Sequence, residues 1–181
     1  MRIRTALALF STLLLACAES SLAQEQKPAA GAPGKEAVLK AGEVGGKLLP
    51  DKVFFRGQLA TVQARNSGGV RYADDFLVLA ALVDSSGYSS GLKEKYQGYV
   101  ITEVPIEVGG QTLKPGAYGF GFMEGNKLVV MDVAAHDVFE VNSAKDGEMK
   151  RPVPLQIVAG AESGKYRLYK GREYVEFHRV K

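Results

Sequence analysis

Beyond position 50 the chain breaks into short apolar stretches separated by glycine-containing turns, and those stretches alternate with a period near two. Residues 53–65, rich in β-branched and aromatic side chains, read as a strand. Asn66-Ser67-Gly68-Gly69 reads as a hairpin turn, with the return starting at Val70. Residues 76–83 are apolar without a break, and their length and flanking turn residues predict a strand buried on both faces. A Ser- and Gly-rich loop at residues 85–91 precedes a helical turn at residues 92–96. Residues 99–108 alternate as one strand, with Pro105 marking an edge or bulge because it lacks an N–H.

Gly109-Gly110 is a two-residue hairpin signal, and Lys114-Pro115-Gly116 has the composition of a type II turn. Residues 117–123 follow as a strand in which Tyr118, Phe120 and Phe122 share one face and Gly119 and Gly121 the other. Two readings follow: the glycines let another part of the chain pack closely, or they leave room for a ligand. Gly125-Asn126 turns the chain into residues 128–133, residues 138–141 add a short strand, and residues 143–151 form a polar excursion. A strand at residues 152–158 and a last hairpin, residues 166–180 turning at Lys170-Gly171, complete the pattern. The expectation is a mainly β domain, an antiparallel β-sandwich or barrel of eight to ten short strands.

One stretch carries a resemblance. In residues 106–133 a strand ends in Gly109-Gly110, the step Leu113-Lys114-Pro115-Gly116-Ala117-Tyr118 follows, and an apolar strand leads to a second hairpin. This resembles the central hairpin of a bacterial secreted β-sandwich domain family of unknown function. The resemblance implies an exported sandwich and no activity. The chain departs from that family in having no Trp.

The first residues bear on location. Arg2 and Arg4 precede an uncharged run of 14 residues, 5–18, followed by Glu19, Ser20 and Ser21. This is the layout of a signal peptide, and the run is short of the ~20 apolar residues that span a bilayer. Ser21 and Ala23 satisfy the small-residue requirement for a cut between Ala23 and Gln24. In a competing reading Leu14-Leu15-Ala16-Cys17 is a lipobox and Cys17 the lipidated first residue. The layout predicts a signal peptide at residues 1–23 and a periplasmic or secreted protein, or with Cys17 modified a lipoprotein of the cell envelope.

Residues 24–47 contain no aromatic residue and are dominated by Gly, Ala, Pro, Lys and Glu, so they read as a flexible linker. Residues 48–181 hold 15 of the 16 Phe and Tyr residues and form the expected single β domain. Cys17 is the sole cysteine, so that domain holds together by its core alone.

Chemistry is sparse. His136 and His178 are the only histidines. Asp132, His136 and Asp137 lie close in sequence, but no third or fourth metal ligand accompanies them, and in an extended segment Asp132 and His136 would sit far apart. His178 alternates with Tyr174 and Glu176 on what reads as the wet face of the last strand. Nucleophile elbows and phosphate-cradling loops are absent from the sequence, so no catalytic residue, metal or cofactor is assigned.

Without residues 1–23 the chain carries 21 basic and 19 acidic residues, a balance that does not call for nucleic acid. The last hairpin is locally basic through Lys165, Arg167, Lys170, Arg172, Arg179 and Lys181. It offers a weak contact for an anionic envelope surface, or else charge that keeps an edge hairpin from aggregating. The reading is an exported, non-catalytic β domain that binds a ligand or associates with the envelope, with Tyr88, Asp132, His136 and Asp137 as weak binding candidates. The alternative is a hydrolase-like enzyme with a site assembled from Asp84, Tyr88, Asp132 and His136.

Overall fold

The alternating stretches become fourteen strands in a computed structural model that describes residues 34–180. Strand β1 (Ala37–Leu39) and the one-turn helix α1 (Ala41–Val44) lead into β2 (Lys52–Phe55), the long β3 (Gln58–Arg71) and β4 (Leu77–Asp84). A short helix α2 (Ser90–Lys95) precedes β5 (Gly98–Thr102), and β6 (Ile106–Val108) and β7 (Gln111–Leu113) form a hairpin. A second hairpin joins β8 (Gly116–Met123) to β9 (Lys127–Met131), followed by β10 (Asp137–Asn142) and β11 (Ala144–Lys145). The chain finishes with β12 (Gln156–Ala159), β13 (Lys165–Lys170) and β14 (Glu173–Arg179).

These strands make two antiparallel sheets. The first has the order β1-β3-β4-β5-β8-β9-β10, with β2 also on β3; the second runs β12-β13-β14-β6-β7, with β11 also on β14. Neither closes on itself, so the domain is a sandwich and not a barrel.

Between the sheets lies an apolar core. Val78, Ala80, Val100, Phe120 and Val130 from the first sheet meet Ile106, Ile157, Leu168, Val175 and Phe177 from the second. The other face of the first sheet is covered too. Leu79, Ala81, Val83 and Met131 pack under Val44, Phe55, Leu92 and Tyr96 from α1, the β2–β3 hairpin and the α2 region. This is why the apolar run of β4 has no polar face: six consecutive residues, Val78 to Val83, are buried.

The glycine face of β8 is filled by packing. A Cβ at Gly119 would lie 2.5 Å from the Phe55 ring, and one at Gly121 would lie 2.1 Å from the carbonyl oxygen of Lys95. Phe120 and Phe122 point the other way into the inter-sheet core, whereas Tyr118 is only half-buried and donates its hydroxyl to the carbonyl of Lys114.

Several expectations need correction. Asn66-Ser67-Gly68-Gly69 is not a turn: β3 runs through it, with an irregularity between the pairs Val62–Val83 and Ser67–Ala81. The bulge consumes its own polar groups, since Asn66 Nδ2 donates to Gln63 Oε1 and Ser67 Oγ to the Ala64 carbonyl. The glycines serve close approach, as a Cβ on Gly68 would lie 3.0 Å from the Ile157 nitrogen. The hairpin turn is instead at Arg56-Gly57, inside the stretch read as one strand, where both residues have positive φ (44° and 82°).

Residues 99–108 are two strands in different sheets: the chain leaves β5, crosses at Val104-Pro105, and enters β6. Such crossings, with the short edge strands β1 and β11, raise the strand count above the eight to ten expected. The linker expectation fails for residues 37–47. β1 pairs with β3 through Val38–Val70, Leu39 is buried and Val44 is fully buried. Isolated apolar residues anchor this stretch without any aromatic.

Candidate binding groove

The residues singled out by sequence do not form one site. Tyr88 is a core residue whose hydroxyl donates to the Phe55 carbonyl at 3.0 Å, and its ring meets those of Phe55 and Tyr96 edge-on. Asp84 accepts the Ser86 N–H in a tight turn at the end of β4, which holds its carboxyl below the usual carboxylate range.

Asp132 and His136 are close, contrary to the extended reading, because the chain turns between them at Ala135 (φ 70°). Asp132 Oδ1 accepts the N–H groups of Ala134 and His136, and Oδ2 lies 3.0 Å from His136 Nδ1. These bonds, that to the His136 N–H foremost, hold the Asp132 carboxyl low. Asp137 turns away to pair with Lys95 at 2.6 Å. The pair therefore organises an exposed β9–β10 turn, and among the described residues no group of three His, Cys, Asp or Glu is placed to hold a metal. Cys17, Ala23 and Gln24 lie outside the described residues.

Three of the six basic residues of the C-terminal hairpin are paired with carboxylates within the fold. Lys165 pairs with Glu162 at 2.9 Å, Arg167 with Glu176 at 2.8 Å, and Arg179 with Asp74 at 2.7 Å. Arg172 donates to the Gly147 carbonyl, and Lys181 lies outside the described residues. The alternation of β14 is as read, with Val175 and Phe177 buried and Glu176 exposed between them.

The hollow between the sheets is not a ligand site. Its volume is about 30 Å³, room for one water, and every residue around it is apolar. A water there would find no hydrogen-bond partner, so it is a packing defect.

The surface groove with the richest chemistry was invisible to sequence reading. The tight connection between β3 and β4 places Tyr72, Asp74 and Phe76 together: the Tyr72 N–H donates to the Phe76 carbonyl, and Asp75 takes positive φ (65°). From the second sheet, the end of β14 brings Arg179, whose Nη1 donates to both Asp74 oxygens at 2.8 and 2.7 Å. Its guanidinium lies 5.2 Å from the centroid of Tyr72 and 5.7 Å from that of Phe76. Tyr166 of β13 meets Tyr72 edge-on at 6.2 Å and donates its hydroxyl to Glu36, just before β1.

Two hollows of about 350 and 300 Å³ share Glu36 and Gly164 in their walls. Tyr72 and Arg179 line the larger, Tyr166 and Lys165 the smaller.

Tyr72 shares with Tyr96 and Ser143 a buried hydroxyl that finds no hydrogen-bond partner among the described residues, and of the three it is the one that lines this groove. Burial, reinforced by the nearby Glu36 charge and partly opposed by Arg179, pushes its pKa up to about 12. Burial and the bond to Glu36 also push Tyr166 up. Asp74 is held low by the hydrogen bond from Arg179. The only sequence signal was the polar turn Ala73-Asp74-Asp75, which says nothing of an arginine more than a hundred positions away.

No protein family, characterised protein or solved structure matches the chain.

Proposed function

We propose that the protein is an exported, non-catalytic binding domain that takes a neutral polyhydroxylated ligand, a segment of glycan, in the groove between Glu36, Tyr72, Asp74 and Arg179. The observation that carries this reading is the Tyr72 hydroxyl, buried in the wall of that groove without a partner among the described residues. The hydroxyl is covered in the unliganded groove, so a ligand reaches it by displacing part of the lining, and the hydrogen bond then recovers the ~1–3 kcal/mol that an unsatisfied buried hydroxyl costs.

The ligand class follows from the charges and rings. Arg179 is already matched by Asp74, and Glu36 adds a further negative charge, so an anion is repelled. The groove's carboxylates, guanidinium and phenol carry both acceptors and donors, and the exposed Phe76 beside Arg179 adds an apolar surface for C–H faces. Export is supported by Arg2, Arg4, the uncharged run of residues 5–18 and the small residues before Gln24, and the resemblance of residues 106–133 to a secreted family agrees with it.

Calorimetric titration with neutral hexasaccharides, against polygalacturonate as the anionic control, tests the reading. Binding of a neutral glycan that Tyr72→Phe and Arg179→Ala each weaken at least tenfold is the expected result. Preference for the anionic polymer, or binding indifferent to both substitutions, would remove the groove from the account.

A further inference from the structure

The β2–β3 hairpin has an inner face in the second core, through Val53, Phe55, Ala60 and Val62, and an outer face that breaks the usual rule for a solvated strand pair. Phe54 and Leu59 sit directly opposite each other on that outer face and are 54% and 62% exposed. Large apolar side chains opposed across a strand pair normally face a core. Lys52 precedes this pair and Arg56 occupies the turn after it; both are exposed, and neither is in any ion pair among the described residues. The tip is fixed rather than loose: the Arg56 N–H donates to the Val133 carbonyl at 2.7 Å, and the Tyr88 hydroxyl donates to the Phe55 carbonyl beneath it.

We infer that this hairpin is a docking tip for an anionic phospholipid surface, with Phe54 and Leu59 entering the headgroup–acyl boundary and Lys52 and Arg56 meeting lipid phosphates. Charge complementarity selects the occupant. An exposed apolar pair bracketed by unpaired cations matches a surface that is apolar inside and anionic outside. A second copy of the chain seated on the same face would bring like cations against one another. The inference is independent of the glycan groove, which lies at the far end of β3, and it places the envelope contact on this hairpin instead of the C-terminal one, where Lys165, Arg167 and Arg179 are paired.

The test is sedimentation of the purified protein with phosphatidylethanolamine vesicles containing or lacking 30% phosphatidylglycerol. The wild type is expected to pellet with the anionic vesicles at 0.1 M salt and to be released at 0.5 M. Phe54→Ser/Leu59→Ser should lower the partition coefficient at least tenfold, and Lys52→Glu/Arg56→Glu should abolish the preference for anionic vesicles. All four side chains point outward, so melting curves of both variants should match the wild type. Partitioning unaffected by either double variant would overturn the inference. So would a wild-type dimer in light scattering that Phe54→Ser/Leu59→Ser converts to monomer without vesicle binding, since the patch would then be a self-association face.

Discussion

Phe55 and Tyr96 stack face to face, their ring centroids 3.7 Å apart and their planes 8° from parallel, against the bare backbone of Gly119. The β2–β3 hairpin and the residue after α2 meet there, on the outer face of the first sheet. The bare strand face is thus the seat of an aromatic pair, and substitutions at the glycines measure how tightly it is seated.

Gly119→Ala should lower stability by ~1–3 kcal/mol, as overpacking does, because the new methyl meets two rings that can shift only together. Gly121→Ala should cost more, since its neighbour is the backbone of Lys95 and not a movable side chain. Chemical denaturation of both variants checks the order. Wild-type stability in either would mean that this face is open.

Residues 37–47 are part of the domain, which truncation tests. Removing residues 34–47 together with everything before them takes away β1 and the buried Leu39 and Val44 and should lower the melting temperature. Within the full chain, Leu39→Ala should cost ~2–5 kcal/mol as a buried large-to-small change. Lys35→Ala, at an exposed position, should stay within ~0.5 kcal/mol. Equal effects at the two positions would show that β1 does not pack.

His136→Ala/Asp137→Ala should change stability little. His136 organises only an exposed turn, and Asp137 forms a surface pair with Lys95. Metal content by elemental analysis should be the same in the variant and the wild type. Stoichiometric zinc or copper that disappears with the two side chains would make this turn a metal site and bring the hydrolase reading forward.

Alkaline pH offers a test of Tyr72 without any ligand. With its pKa at about 12 when folded and ~10 when unfolded, the folded state keeps the proton longer. Its contribution is therefore complete below pH 10 and is lost as pH rises to 12. Tyr72→Phe should flatten that part of the stability profile. At neutral pH it should be neutral or stabilising by up to ~1–3 kcal/mol, because it removes an unsatisfied buried hydroxyl. Tyr166→Phe should destabilise, since that hydroxyl donates to Glu36. Stability curves of the two variants between pH 7 and 12 read both effects.

What the sequence showed and what it hid divide along physical lines. The period-two alternation, the buried run of β4, the turns at Gly109-Gly110 and Gly125-Asn126 and the two faces of β14 were legible, because each is set by neighbours within a few positions. Glycines misled where their role is set by distant chain: Gly68 and Gly69 look like a turn yet make room for β12 and β4. Asp132 and His136 came together through positive φ at Ala135, a residue type that gives no turn signal. The groove was hidden most completely. Glu36, Tyr72, Asp74, Tyr166 and Arg179 are ordinary surface-type residues in sequence, and only the pairing of two sheets makes one site of them.

The most direct test of the groove is nuclear magnetic resonance of protein carrying ¹³Cζ-tyrosine and ¹⁵Nε-arginine, with the Tyr72 and Arg179 signals assigned from Tyr72→Phe and Arg179→Ala. Titration with the neutral hexasaccharides should shift both signals together while Tyr96, buried on the opposite side of the first sheet, stays fixed. Binding that moves Tyr96 or other tyrosines but leaves Tyr72 and Arg179 unmoved, or no shift at either residue with any glycan, would contradict the account.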